Sequence, residues 1–162
     1  MNIITTHDPQ LISQLQDALA FESYLVLLIS EHVSACQSST RRLYQEHART
    51  TRQQIGRLRE RLVEMDPSLA VEQPGEFSQR LRRLSLEVAV MDVWRDEATQ
   101  LLITSYGIKQ LECTMYRSMA ALADHLGDTR TARLARACLT EEEATARRLL
   151  FCIGGATRGA VA

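Results

Sequence analysis

Apolar residues recur every three or four positions along most of this 162-residue chain, the spacing that gathers them on one face of an α-helix. From 8 to about 37 the seam runs Leu11, Leu15, Ala18, Leu25, Ile29 and Cys36, with Pro9 at a first-turn position behind the capping residue Asp8. Ser38-Ser39-Thr40 break that pattern and offer N-cap hydroxyls for a second helix to about 65, whose seam is Leu43, His47, Thr51, Ile55, Leu58, Leu62 and Met65. Asp66-Pro67-Ser68 end it and Gln73-Pro74-Gly75 mark a loop, after which Phe77, Leu81, Leu84, Val88 and Met91 predict a shorter amphipathic helix. A third long helix is predicted from about 95 to 126, on Ala98, Leu101, Ser105, Ile108, Met115, Met119, Leu122 and Leu126, with Gly127 as its stop. Asp128 or Thr129 caps the fourth, with seam residues Leu134 or Ala135, Cys138, Thr145, Leu149 and Cys152, expected to end at Gly154-Gly155.

The connections then set the topology. Short turns join helices one to two and three to four, which makes each pair an antiparallel hairpin. Roughly 28 residues, 66 to 93, separate the second helix from the third, far more than an antiparallel neighbour needs. A long crossover that leaves those two helices parallel explains the length, and the expected class is an all-α four-helix bundle with a short extra helix in its crossover. The low content of Gly 7 and Pro 3 agrees. One domain spanning 1–155 is expected, with a flexible tail at 156–162.

Charge removes several function classes. The net charge is −1 with Arg and Glu interspersed, so no basic face tracks a phosphate backbone and no nucleic-acid partner is expected. The longest apolar run, Leu25-Val26-Leu27-Leu28-Ile29, is far short of the ~20 residues that cross a bilayer, and the N-terminus lacks a basic signal-peptide start. No membrane association and a cytoplasmic location are expected. Cys36, Cys113, Cys138 and Cys152 show no CxxC spacing and read as reduced thiols. Nothing resembles a phosphate-binding glycine loop or a nucleophilic triad. Of the 19 basic residues one alone is lysine, Lys109.

Candidate chemistry sits in gaps of the seams. Glu22 lies between Ala18 and Leu25, Glu112 between Ile108 and Met115, and Glu142 between Cys138 and Thr145. Each carboxylate thus takes an inward position, which costs several kcal/mol unless it is paired or binds a cation. Glu112 and Glu142 stand about fifteen residues on either side of the turn near 127–128, hence at one level of the bundle. Carboxylates at matching depth are how bundles build two-metal sites from Glu and Glu-x-x-His ligands. The second helix offers only Thr50, Thr51, Gln53 and Gln54 at that level, and its inward His47 counts roughly 8 Å away along the axis. Lys109, one turn before Glu112, carries an ammonium that could compensate the carboxylates. Three readings stay open here: a metal held by at least two of the glutamates, a lysine-paired or proton-sharing cluster, and carboxylates at the bundle edge beside arginines.

At these residues the chain resembles the ferritin-like superfamily, and within it the stress-associated YciF-type family. Leu15-Gln16-Asp17-Ala18-Leu19-Ala20-Phe21-Glu22 is similar to the opening helix, whose first metal glutamate aligns with Glu22. His47 with Thr51, Gln54, Arg57 and Leu58 is similar to the second-helix pattern, Glu112 with Tyr116 to the third, and Leu139-Thr140-Glu141-Glu142 with Thr145 to the fourth. The resemblance runs from about 15 to 150. It implies a ferritin-like four-helix bundle, commonly a homodimer, with a di-iron or related carboxylate centre and a role in stress. The chain departs from the pattern at Thr50, at Lys109-Gln110, where members carry a Glu-His pair, and at Ala146.

Two functional expectations follow. In the first, core carboxylates bind iron or another transition metal through Glu22, Glu112 and Glu142 with His47 as a fourth ligand, which would open ferroxidase-like or peroxide-related chemistry. In the second, the bundle is metal-free and serves a structural or protein-interaction role, with Lys109 or an arginine neutralising what carboxylates remain. A third reading has a partner docking on an apolar crossover patch around Leu81, Leu84, Val88 and Met91.

Overall fold

A computed structural model describes residues 8–35, 38–70, 79–80, 82–84 and 97–159. Four long helices dominate: α1 (Pro9–Ala35), α2 (Ser38–Met65), α3 (Glu97–His125) and α4 (Thr129–Gly159), with a single 3-10 turn at Pro67–Ala70 and no strand among the described residues. The all-α class and the two antiparallel hairpins are as the seams predict.

Local chemistry sets the helix ends. The Asp8 carboxylate accepts hydrogen bonds from the backbone N–H groups of Gln10 and Leu11, at 2.8 and 3.3 Å, so α1 starts behind a capped first turn. Gly127 ends the α3 region at φ 73; the Gly127 N–H donates to the Asp124 carbonyl at 3.1 Å and the Asp128 N–H to that of Ala123 at 2.8 Å. That pair of bonds closes the last carbonyls of α3 in a left-handed cap, which a side chain would strain. Of the two expected caps for α4, Asp128 serves, accepting from the Thr131 N–H at 2.9 Å. The stop expected at Gly154-Gly155 does not occur, because α4 continues to Gly159. Glycine only weakens a helix by about 1 kcal/mol, and extending a formed helix is far easier than nucleating one; Ile153 and Ala156 also hold this stretch against the core.

Side-chain contacts fix how the hairpins face each other. Gln54 and Arg57 of α2 reach Glu142 and Glu141 of α4, while Glu46 pairs with Arg148; rising numbers meet falling ones, so α2 and α4 are antiparallel. Tyr44 shares a 2.8 Å hydrogen bond with Ser105, and His47, further along α2, approaches Glu112, further along α3. These two helices are therefore parallel, which demands the long crossover. Part of it is described: Arg82 donates to the Ala20 carbonyl at 2.6 Å and lies over the Tyr24 ring at 5.4 Å, seating this segment against α1. The proposed apolar patch falls mostly on residues 81, 88 and 91, outside the described residues; Leu84 is 41% exposed.

Around this contact α1 is buried on more than one face, with Ala18, Leu19, Ala20, Phe21 and Glu22 all fully enclosed. Over Pro9–Ser30 the mean hydropathy of 1.2 is high enough for a membrane span by length and composition, with half of that stretch buried inside the bundle. A core helix enclosed by neighbours averages as apolar as a membrane helix when few charges interrupt it. The core itself runs through Leu11, Leu15, Leu25, Tyr44, Leu58, Leu62, Met119, Ala135 and Leu149. Toward its ends α3 is turned by one position from the expected seam: Leu102 and Ala123 are buried where Leu101 and Leu122 were expected, and those two are only partly buried, while Ala98 and Leu126 are exposed. Cys113, Cys138 and Cys152 are free thiols, and Cys36 lies outside the described residues.

Candidate metal centre and its buried lysine

Midway along the bundle, polar side chains from all four helices meet in a region sealed from water. Glu22, Thr51, Gln54, Lys109, Glu112 and Glu142 are 0% exposed and His47 is 5% exposed. All three inward glutamates are thus buried, not at the bundle edge, and this excludes the reading that pairs them with surface arginines.

The lysine is inside as well. Its ammonium lies 2.8 Å from Glu112 Oε1 and 2.7 Å from Oε2, and it also donates to Glu142 Oε2. Because 109 and 112 are one helical turn apart, α3 delivers cation and anion to the same face, while Glu142 arrives from α4 across the hairpin. Gln54 completes the approach from α2, its amide donating to Glu142 Oε1 at 2.5 Å and to Glu141 Oε2 at 3.0 Å. Glu141 in turn accepts from Arg57 at 2.5 Å, and both of those side chains are about a third exposed. A continuous chain of donors and acceptors therefore runs from the surface at Arg57 and Glu141, through Gln54, to the buried carboxylates.

Glu22 occupies the other side of the cluster. It accepts the Tyr116 hydroxyl at 2.6 Å. Burial and the repulsion of Glu142 raise its pKa to about 7, against the pull of Lys109 and the hydrogen bonds of Tyr116 and Glu112. Glu112 is raised well above the usual carboxylate range, first by burial and then by Glu142, with Lys109 opposing. Burial pulls Lys109 downward, but Glu112, Glu142 and Glu22 outweigh it and hold the ammonium charged. Burial, with Glu22 beside it, also drives the Tyr116 phenol well up. The physical sense is one of charge balance: a single buried cation cannot support three buried anions, so carboxyl groups retain protons.

The expected ligands are only partly convergent. Ligand atoms of His47, Glu112 and Glu142 all lie within 4.8 Å of one another, a group that does not include Glu22. His47 thus comes closer than counting along the helix axis suggested. Side chains on a helix reach back along the axis as well as outward, so a turn of offset is spanned by the imidazole and the carboxylates. One imidazole nitrogen and two carboxylates suit a borderline transition metal. Lys109 nevertheless touches both carboxylates of that trio, and a second cation a few ångströms from an ammonium in a low-dielectric interior is strongly repelled. With Lys109 in place, the residues do not fit a metal ion.

Sequence reasoning placed Ile55 on the α2 seam, whereas Gln54 is buried and Ile55 only partly so. The signal that could have found it is the run Thr51, Gln54, Leu58, spaced by three and four.

Over residues 6–161 the sequence matches the family model described as "Domain of unknown function (DUF892)". Among solved structures, the Escherichia coli stress protein YciF is similar with a TM-score of 0.75 at 22% identity, covering 94% of this chain and 96% of that one. A protein of Xanthomonas campestris pv. campestris gives 0.73 at 21%, covering 94% of each chain. YcfI of Rhodopseudomonas palustris gives 0.71 at 17%, covering 92% and 97%. At these identities the likeness concerns the fold. No curated protein matches the sequence significantly.

Proposed function

Since the chain belongs to the DUF892 family, we propose that it is a stress-associated bundle of ferritin-like type that works without a metal, in a structural or protein-interaction role. The observation that carries this reading is the Lys109 ammonium seated between Glu112 and Glu142, where a cation would be required. A buried ammonium meets the electrostatic need of the carboxylates but offers no open coordination position for oxygen or peroxide. The stress association is supported by the fold shared with the Escherichia coli stress protein YciF.

Protein produced in iron-supplemented medium tests it by elemental analysis. The expected result is fewer than ~0.2 equivalents of any transition metal, with a melting temperature indifferent to chelator, because a resident metal would add its binding energy to folding. A full equivalent, lost on chelation together with stability, overturns it. One observation favours the rival reading of a metal-binding bundle: His47, Glu112 and Glu142 present three donor atoms within 4.8 Å of one another.

A further inference from the structure

The geometry points to a binding cleft for a small amphipathic anion, a free medium-chain fatty carboxylate, between the first turns of α2 and the last turns of α4. The cleft is separate from the buried cluster: neither Lys109 nor any of the inward glutamates lines it.

α4 presents Ala144, Arg147, Arg148, Phe151 and Cys152 to the cleft, spacings of three and four that make one continuous helix face. It is not the core face. Leu149 of the same turn is fully buried, whereas Phe151 is 79% exposed and Leu150 beside it 53%. α2 supplies the opposite wall with Arg42, Leu43 and Glu46. Nearer the middle of the bundle Gln54 of α2 reaches Glu142 directly; at this end Glu46 and Arg148 join the helices through two long side chains, beside a hollow of about 700 Å³. That volume falls in the range of roughly 300–1,000 Å³ usual for small-molecule sites, whereas a stable protein interface takes roughly 800 Å² from each partner.

Charge and polarity select the occupant. Three guanidinium groups line the cleft with a single carboxylate, Glu46, which accepts from Arg42 at 3.0 Å and from Arg148 at 2.6 Å. Each of those arginines spends one nitrogen on it, and Arg147 has no ion-pair partner among the described residues. The rim therefore keeps an excess of positive charge, with N–H groups to spare for a second carboxylate. Leu43, Ala144, Phe151 and Cys152 make the remaining surface apolar. An anionic head on a hydrocarbon tail satisfies both parts; a cation is repelled by the rim, and a sugar or nucleotide leaves polar groups unpaired against the apolar wall.

The test is isothermal titration of the full chain with decanoate, decanol and phosphatidylglycerol vesicles, on wild type, Arg147→Glu and Phe151→Ser. Both side chains are exposed, so neither substitution disturbs the core. Modification of the half-buried Cys152 by iodoacetamide, read by peptide mapping, reports where the ligand sits. The expected result is about one equivalent of decanoate, bound at least ~10-fold more tightly than decanol and weakened at least ~10-fold by either substitution, with Cys152 shielded as the cleft fills. Decanoate that does not saturate, that binds either variant as tightly as wild type, that decanol equals, or that leaves Cys152 as reactive as before overturns the proposal. Binding to the vesicles without binding to decanoate also overturns it, by making this face a membrane contact instead.

Discussion

The ammonium of Lys109 and the carboxyl group of Glu112, one turn apart on α3 and both fully buried, lie within 2.8 Å of each other with Glu142 completing the contact. A buried ion pair adds little net stability over an apolar pair of the same volume, but removing one partner alone strands the other. This asymmetry decides what substitutions at the two positions do.

Lys109→Met is expected to destabilise the bundle by about 3–5 kcal/mol, the usual cost of leaving a buried charge without its partner. Glu112→Gln is expected to cost less, about 1–3 kcal/mol, since Glu142 still pairs with the ammonium and burial with Glu142 already raises the Glu112 pKa well above the ordinary 4.5. Urea denaturation of both variants at neutral pH checks the contrast; equal losses would contradict it.

Stability is expected to fall as pH rises from about 4.5 to 7. Glu22 carries a folded pKa of about 7 against an ordinary 4.5, raised by burial and then by Glu142. Below 4.5 both states hold the proton; between the two values the unfolded chain releases it first, and ionisation favours unfolding. The shift corresponds to about 3 kcal/mol at most. Lys109, Glu112 and Tyr116 also face Glu22, and Tyr116→Phe removes a hydrogen bond that lowers its pKa, so the falling limb should extend to higher pH. Glu22→Gln should flatten it. Denaturation midpoints at pH 5 and pH 8 supply the measurement.

Arg61 ties α2 to the start of α4 at one end of the bundle. Its guanidinium donates to Thr131 Oγ1 at 2.8 Å, to Asp128 Oδ2 at 2.7 Å and to Glu64 at 3.3 Å, with the side chain 9% exposed. Asp128 also caps α4, so Arg61→Ala disturbs both a buried ion pair and a helix start; a loss of about 2–4 kcal/mol is expected. Arg61→Lys should recover little, because a point charge cannot bridge three acceptors laid out for a planar fork. Thermal and urea unfolding of the two variants decide this.

Burial pushes the Cys138 thiol up to about 12 and raises Cys113 as well. Both are essentially unexposed, whereas Cys152 is half-buried. A thiol-specific reagent at pH 8 should therefore leave Cys113 and Cys138 unlabelled in the native protein and modify them in urea, because the thiolate is the reactive species. Peptide mapping by mass spectrometry reads the outcome directly.

Periodicity made the helices legible, and the uneven connection lengths made the crossover legible with them. Glu22, Glu112 and Glu142 could be assigned inward because each interrupts an apolar seam, and all three are buried. The choice between Gln54 and Ile55 on α2 could not be made, since neighbouring positions differ by only 100° and a small helix rotation exchanges them. His47 was placed too far from the carboxylates for a related reason: counting along an axis ignores how far side chains extend.

What the sequence alone determined is the set of inward faces, the pairing of helices into hairpins, and the presence of three carboxylates near the middle of the core with a lysine one turn before Glu112. Those are properties of one chain's local geometry, written in spacings of three and four. Which of those groups touch was decided only by tertiary structure. The rotation and axial offset of α2, α3 and α4 turn Lys109 inward, place its ammonium against Glu112 and Glu142, and bring His47 to them while Glu22 turns to Tyr116. Contacts across helices depend on packing of the whole bundle, and a charge must find its partner there because the dry interior offers it no other.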